Sequence, residues 1–258
     1  MRVFVTGASG GIGEAIAREY HRRFPTLRIG LAARRADELE RVGATLAGAH
    51  VYRYALDVTD RDALARAAAD FVAQAGGPPD VVIANAGISA GTQTGDAKDA
   101  VVFRRIMEVN LLAMADTFAP FVAEMRDRRA GTLVGVASMA GLRGMPGASA
   151  YSASKAAAIA YLESLRVELR GSGVRVVTLV PGYVRTAMTA RNPYRMPFLI
   201  DADRFAWHAV DAISRGRPYV IIPWPMRPVA VFLRVMPRWL FDTLFARAPR
   251  KPRAVQPR

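Results

Sequence analysis

Cysteine is absent from the 258 residues, which excludes disulfides, thiolate chemistry and cysteine-based metal sites. Histidine is scarce. His21, His50 and His208 are scattered with no partner at ligand spacing, so they read as surface or partly packed imidazoles and no metal is expected. Lysine is as rare: Lys98, Lys155 and Lys251 stand among 36 basic residues, against 22 acidic ones, for a net charge of +14. A pI near 11.0 raises nucleic-acid binding as a function. No recognition motif accompanies the charge, and arginine excess of this kind can reflect genome composition, so no nucleic-acid partner is expected. The first strand begins at residue 2 and leaves no room for a signal peptide, which predicts a cytoplasmic protein.

A length of 258 residues with 52% apolar content suits one α/β domain with a sizeable core. Short, β-branched-rich runs at Val3–Val5, Leu27–Ala32, His50–Tyr54, Val81–Ala84, Thr132–Val136, Val174–Val180 and Tyr219–Ile222 alternate with helical patterns. They predict seven buried parallel strands of an α/β domain with helices on both faces. Thr59-Asp60 marks a helix start before Arg61, and Gly76-Gly77-Pro78-Pro79 ends that helix. The domain is expected over residues 1–248, followed by a basic tail at 249–258. Weakly structured segments are expected near 88–98, 187–200 and from Ala248 onward.

Thr6-Gly7-Ala8-Ser9-Gly10-Gly11-Ile12-Gly13 follows the first apolar run and opens an amphipathic stretch, the order of a strand, a glycine turn and a helix. Gly7 suits a tight turn, Gly11 a close approach of backbone to a pyrophosphate, and Gly13 close helix–strand packing. The helix N-terminus adds unpaired N–H groups for the anion. An ordinary Gly-rich turn fits the glycines as well. Further along, Tyr151 and Lys155 stand at i and i+4 of an Ala-rich helix, which puts phenol and ammonium on one face. A cation beside a phenol lowers its pKa from about 10 toward the range of a general acid or base.

Together these motifs resemble the short-chain dehydrogenase/reductase family. Its TGxxxGIG stands at Thr6–Gly13, its acidic residue after the third strand at Asp57-Val58, and its NAG turn at Asn85-Ala86-Gly87. The helix asparagine is Asn110, the serine at the fifth strand end is Ser138, YxxxK is Tyr151 and Lys155, and PGxxxT runs from Pro181-Gly182 to Thr186. Ala84 and Ala137 depart from residues common in the family. The resemblance covers roughly residues 1–190 and implies a doubly wound Rossmann fold and hydride transfer between a nicotinamide cofactor and a carbonyl or alcohol, by a homodimer or homotetramer.

The resemblance implies four catalytic residues. Tyr151 exchanges the proton of the substrate oxygen, Lys155 lowers the Tyr151 pKa and binds the nicotinamide ribose, Ser138 hydrogen-bonds the substrate oxygen, and Asn110 orders a water in a proton relay. Cofactor contacts are expected from Gly7, Ser9, Gly10, Gly11, Ile12, Gly13, Asp57, Val58, Asn85, Ala86, Gly87, Pro181, Gly182, Val184 and Thr186, with Tyr151 and Lys155. At the second strand end, Ala33 stands where NAD enzymes usually carry an acid, and Arg34 suits a 2′-phosphate, so NADP(H) is the expected cofactor. A 3-oxoacyl thioester reductase is the alternative substrate reading. An NADPH-binding sensor or scaffold without turnover is the non-enzyme alternative.

Residues 187–200 are expected to form a substrate lid, whose Met, Tyr, Phe and Leu favour an apolar or aromatic ligand. Residues 223–246 are apolar, aromatic and basic, while Arg234, Pro237, Arg238 and Asp242 interrupt them too often for a spanning helix of about 20 residues. One reading is peripheral membrane contact through 228–246, with Trp224, Trp239, Phe241 and Phe245 as anchors. Arg227, Arg234, Arg238, Arg247, Arg250 and Lys251 would then face lipid phosphates. A subunit interface or a cap over the active site is the other.

Overall fold

The computed structural model describes residues 1–190 and 192–253. Seven strands form one parallel sheet: β1 (Arg2–Thr6), β2 (Arg28–Ala33), β3 (His50–Ala55), β4 (Val81–Ala84), β5 (Gly131–Val136), β6 (Val174–Pro181) and β9 (Tyr219–Ile222). Their order is β3-β2-β1-β4-β5-β6-β9, so the chain winds outward from β1 in one direction and restarts at β4 in the other. A second, two-stranded sheet pairs β7 (Val184–Arg185) with β8 (Ile200–Asp201) at the two ends of the 187–200 segment. The single-chain pattern did not predict that pair.

Period-two alternation decides which core each strand residue enters. Val3 and Val5 of β1 face one layer, with Ile16 and Tyr20 of α1 (Gly11–Arg23) and Phe205 and Ile213 of α7 (Ala202–Ser214). Phe4 between them faces the other layer, against Phe71 of α3 (Arg61–Ala75), Phe121 of α5 (Ala113–Asp127) and, further along that face, Leu162 of α6 (Ser149–Glu168). Both faces are covered, as a parallel sheet requires. The helix limits follow local chemistry: the Asp60 carboxylate accepts from Ala63 N at 2.9 Å to start α3, and Gly76 ends it with φ of 71°. The remaining helix of this half, α2 (Ala36–Ala44), lies between β2 and β3.

Helix α4 (Ala97–Met107) runs through a π-helical turn at Glu108–Leu112 directly into α5. The continuous stretch Ala97–Asp127 is long and apolar enough to cross a membrane by length and composition, yet Met114, Phe118, Phe121 and Met125 on it are buried against the sheet. That face is core, while Val101, Phe103 and Leu112 on the same stretch are exposed.

The C-terminal segment folds as two helices, α8 (Met226–Val235) and α9 (Arg238–Phe245), separated at Pro237. Met226, Ala230, Leu233, Met236 and Phe241 pack beneath them with Ala137, Ile159 and Val180 in a third core cluster. This corrects one expectation. Phe241 is no surface anchor: it is buried, stacked on Phe245 at 4.4 Å, with the Arg143 guanidinium 4.5 Å above it. Trp224, Val231, Phe232, Val235, Trp239 and Leu244 are the residues that form the exposed apolar face.

Candidate active site

The strand order reverses between β1 and β4, and the loops leaving the carboxyl ends of these and neighbouring strands converge on one edge. At β1, Gly7 has φ of +68°, and a Cβ there would lie 2.8 Å from Ala86 Cα. A Cβ on Gly13 would collide with Gly7 O and stand 2.6 Å from Asn85 Nδ2. The Asn85 amide donates to Thr6 O and Gly7 O, both at 3.1 Å, so this side chain is spent on holding the turn. Helix α1 begins at Gly11 after Gly10, with no side chain capping its first N–H groups. Gly11 also has positive φ, and Thr186 from the β7 end lies 3.2 Å from where its Cβ would be. The arrangement is a backbone cradle with free donors at its mouth, suited to a diphosphate.

Ala33 closes β2, and the next two residues are exposed. Arg35, which the motif reading passed over, reaches the cradle: its Nη2 donates to Ser9 O at 3.0 Å and to Ser9 Oγ at 3.2 Å. Arg34 beside it makes no side-chain hydrogen bond among the described residues. At β3, burial pushes the Asp57 carboxyl up, but donors from Thr59 N (3.0 Å), Thr59 Oγ1 (2.9 Å) and Arg105 outweigh it and hold the pKa below the usual carboxylate value. Val58 is buried against Val109 and Ala113. Gly182 N donates to Ile222 O at 2.8 Å, which ties the Pro181-Gly182 turn to β9, and Val184 is buried.

The four residues expected to be catalytic come together beside this cradle. Asn110 sits in the π-helical turn and is fully buried; its Oδ1 accepts from Ile88 N at 2.8 Å and its Nδ2 donates to Ile88 O at 3.0 Å and Ser154 Oγ at 2.9 Å. Ser154 Oγ in turn donates to Tyr151 O at 2.8 Å. Such π-turns recur at functional sites, and here the turn carries Asn110 to the loop that follows β4. Lys155, 4% exposed, donates from Nζ to Val136 O at 2.7 Å. Its Nζ is also 3.6 Å from where a Gly87 Cβ would be, next to Asn110 Oδ1 at 3.3 Å.

Burial raises the Tyr151 phenol above its ordinary value, and the neighbouring Ser138 hydroxyl opposes that rise; Lys155 stands one helical turn further along the same helix. The ammonium is directed at the Val136 carbonyl, and burial lowers its own pKa to about 8. Ser138 Oγ also accepts from Ala140 N at 3.2 Å, capping a short 3-10 turn at Met139–Gly141.

Two elements approach the phenol from the substrate side. Tyr194, in the 187–200 segment, stacks edge-on with Tyr183 at 6.4 Å; burial raises its pKa, and the charges of Tyr183 and Tyr151 raise it further. The second is the chain end. Lys251, which one of the two readings of the C-terminal region turned toward lipid, has its Nζ 5.4 Å from the Tyr151 ring centroid and donates to Ser89 Oγ at 2.7 Å. Residues 249–253 thus fold back on the site, while 254–258 of the expected tail lie outside the described residues. Nothing in the basic tail pattern could have placed Lys251 there.

A family model described as short chain dehydrogenase matches residues 1–195. The chain is 40% identical over 240 residues to an uncharacterized oxidoreductase of Myxococcus xanthus, covering 92% of this chain and 93% of that one. Among solved structures it is similar to an alcohol dehydrogenase from the archaeon Thermococcus sibiricus complexed with 5-hydroxy-NADP. That similarity has a TM-score of 0.75 and 29% identity, over 86% of this chain and 96% of the other. A short chain dehydrogenase/reductase from Burkholderia phymatum in complex with NAD shares the fold, with a TM-score of 0.81 at 24% identity over 98% of both chains.

The buried Lys155 generates a pH signature. With a folded pKa of about 8 and an unfolded value of about 10.4, the unfolded chain binds the proton more tightly across that window. Folding stability from this site therefore rises as pH increases from about 8 toward 10.4. Lys155→Met carries no proton in either state. Urea unfolding of both proteins at about pH 7 and about pH 10 is expected to show the difference moving in favour of the wild type at the higher pH. A flat difference would mean that the ammonium titrates at its ordinary value.

Proposed function

Because the chain belongs to the short-chain dehydrogenase/reductase family of oxidoreductases, we propose that it is an NADP(H)-dependent enzyme. In this reading it interconverts a ketone or aldehyde and an alcohol, with an apolar or aromatic substrate. The observation that carries the reading is the Tyr151 phenol, beside the Ser138 hydroxyl and one helical turn from Lys155, on the same sheet edge as the glycine cradle.

The residues fit the dinucleotide. The α1 N-terminus and the turn Ser9–Ile12 would hold the diphosphate with Thr186, Asn85 keeps the turn closed, and the buried ammonium of Lys155 would hold the nicotinamide ribose. When bound, the nicotinamide supplies or accepts the hydride. Tyr151 gives its proton to the developing alkoxide, or takes one from the alcohol in reverse. Ser138 donates to the same oxygen and stabilises its charge. Asn110 positions the loop at Ile88 and the helix at Ser154, keeping Lys155 in register with the phenol. A ribose and a charged nicotinamide would supply the polar surroundings that bring the burial-raised phenol toward its working range.

The 2′-phosphate preference rests on Ala33, Arg34 and Arg35. No acid stands at the β2 end to hold a ribose 2′-OH or repel phosphate, and Arg35 is already directed at Ser9 of the cradle. The exposed face of α8 and α9 supports a further proposal, docking on an anionic bilayer. Trp224 and Trp239 are each 70% exposed, and Arg227, Arg234 and Arg238 are exposed alongside them.

Three measurements test these readings. Tyr151→Phe is expected to abolish turnover of ketones while NADPH still binds; more than about a tenth of wild-type kcat would assign the proton to another group. NADPH is expected to be preferred over NADH by more than about tenfold in kcat/KM, with reversal in Ala33→Asp, Arg34→Ile, Arg35→Ser; equal values for the two cofactors overturn the preference. Wild-type protein is expected to sediment with anionic liposomes at low salt and to lose that binding in Trp224→Ser, Trp239→Ser, two exposed positions outside the core. Protein wholly in the soluble fraction, with the double variant shifting oligomer size on a sizing column, would make the face a subunit interface.

A further inference from the structure

After α9 the chain reverses and crosses the active site between two loops. Pro252 O accepts from Gly91 N at 2.8 Å, and Gly91 pairs with Arg253 in a parallel bridge. Two glycines make room for the crossing: a Cβ on Gly91 would collide with Lys251 O, and one on Gly147 would lie 2.8 Å from Arg250 Cβ. Arg253 locks the end, donating to Asp96 and, at 3.0 Å, to Asp99 Oδ1. Asp99 is buried and accepts from Gln93 N at 2.6 Å, so the lock is tied to the loop that follows β4.

Within this strap Arg253 and Lys251 are treated differently. Arg253 has two carboxylates. Lys251, over the Tyr151 ring, has none within salt-bridge distance among the described residues; its ammonium has the Ser89 hydroxyl and the aromatic face. A partly buried ammonium without a counter-ion is unfavourable unless a ligand supplies the opposite charge. The strap does not need Lys251 to stay in place, because Arg253 and the Gly91–Pro252 bond anchor it. Burial lowers the Lys251 pKa, and no acidic side chain opposes this.

We infer that Lys251 determines substrate specificity by binding an anionic group, a carboxylate in the simplest case, on the same molecule whose carbonyl or alcohol carbon is worked on beside Tyr151. The substrate class is then an oxo acid or hydroxy acid with an apolar body between the two groups. Tyr194 and Tyr183 line the same side of the site and suit such a body. The inference rests on the reading of Tyr151 as the proton donor, and it adds a charge requirement to it.

The test compares 3- and 4-acetylbenzoate with their methyl esters, which keep the ketone and remove the charge, using the full-length protein and NADPH. Wild-type kcat/KM is expected to favour the acids by at least about tenfold, the scale of one charge-assisted contact. In Lys251→Met the ratio is expected to fall to about one, through a rise in KM for the acids, and Lys251→Arg is expected to keep most of the preference. Equal wild-type values for acid and ester overturn the inference while leaving the oxidoreductase reading intact. So does a truncation before Arg250 that speeds both substrates alike, since the strap would then be only a steric cover. If neither substrate turns over with either cofactor, the oxidoreductase reading fails by itself. Calorimetric titration of the acids into wild type and Lys251→Met, with NADPH present, still decides the charge contact: equal affinities in the two proteins overturn it.

Discussion

The side-chain amide of Asn85 reaches from the end of β4 to the carbonyls of Thr6 and Gly7 at the end of β1, and the site depends on this closure. Thr6 Oγ1 adds to it by accepting from Asn85 N at 3.3 Å and Ala86 N at 3.4 Å. The strands meet where the winding direction reverses, so their following loops diverge and leave a crevice unless something holds them. Gly7 and Gly13 allow the approach because neither places a Cβ between the two loops. With the turn held, the α1 N-terminus points its free N–H groups into the crevice, and Gly87 stands next to Lys155 and Asn110. Cradle and reacting groups are therefore joined through the loop that follows β4.

Around that unit, charge is handled according to burial. Arg41 and Arg18 hold the Glu14 carboxyl low, and Thr59 with Arg105 holds Asp57 low, despite desolvation. Among the described residues Lys155 and Lys251 have only carbonyl, hydroxyl or aromatic partners, and burial lowers both. With neither Lys155 nor Lys251 paired to a carboxylate among the described residues, the desolvation of both ammonium groups falls at the reacting edge. The cost is carried by packing elsewhere, chiefly the two layers that sandwich the sheet and the third cluster beneath α8 and α9.

The seven strands, the limits of α3, the glycine turn and the Tyr151–Lys155 helix were all legible in the sequence, because each follows from local rules: period-two burial, an aspartate cap, a left-handed glycine, i and i+4 on one face. The pairing of β7 with β8 was not, since two-residue strands carry no periodicity. Arg35 was visible only as half of an arginine pair; which guanidinium reaches Ser9 depends on how the chain leaves β2. Phe241 read as a surface anchor because a broken apolar run does not say which side faces the domain, and Arg143, which covers that ring, lies about a hundred residues away in sequence.

What the sequence determined by itself was the architecture and the identity of the chemistry-bearing groups, because hydrophobic period, turn residues and motif order act over short stretches of chain. Tertiary structure decided what those groups face. Lys155 turns to Val136 O, Asn110 spends both ends of its amide on Ile88 and Ser154, and Lys251 crosses the molecule to lie over Tyr151. Each outcome depends on a contact between residues distant in the chain, and burial acts on a charge only through the atoms that surround it in space.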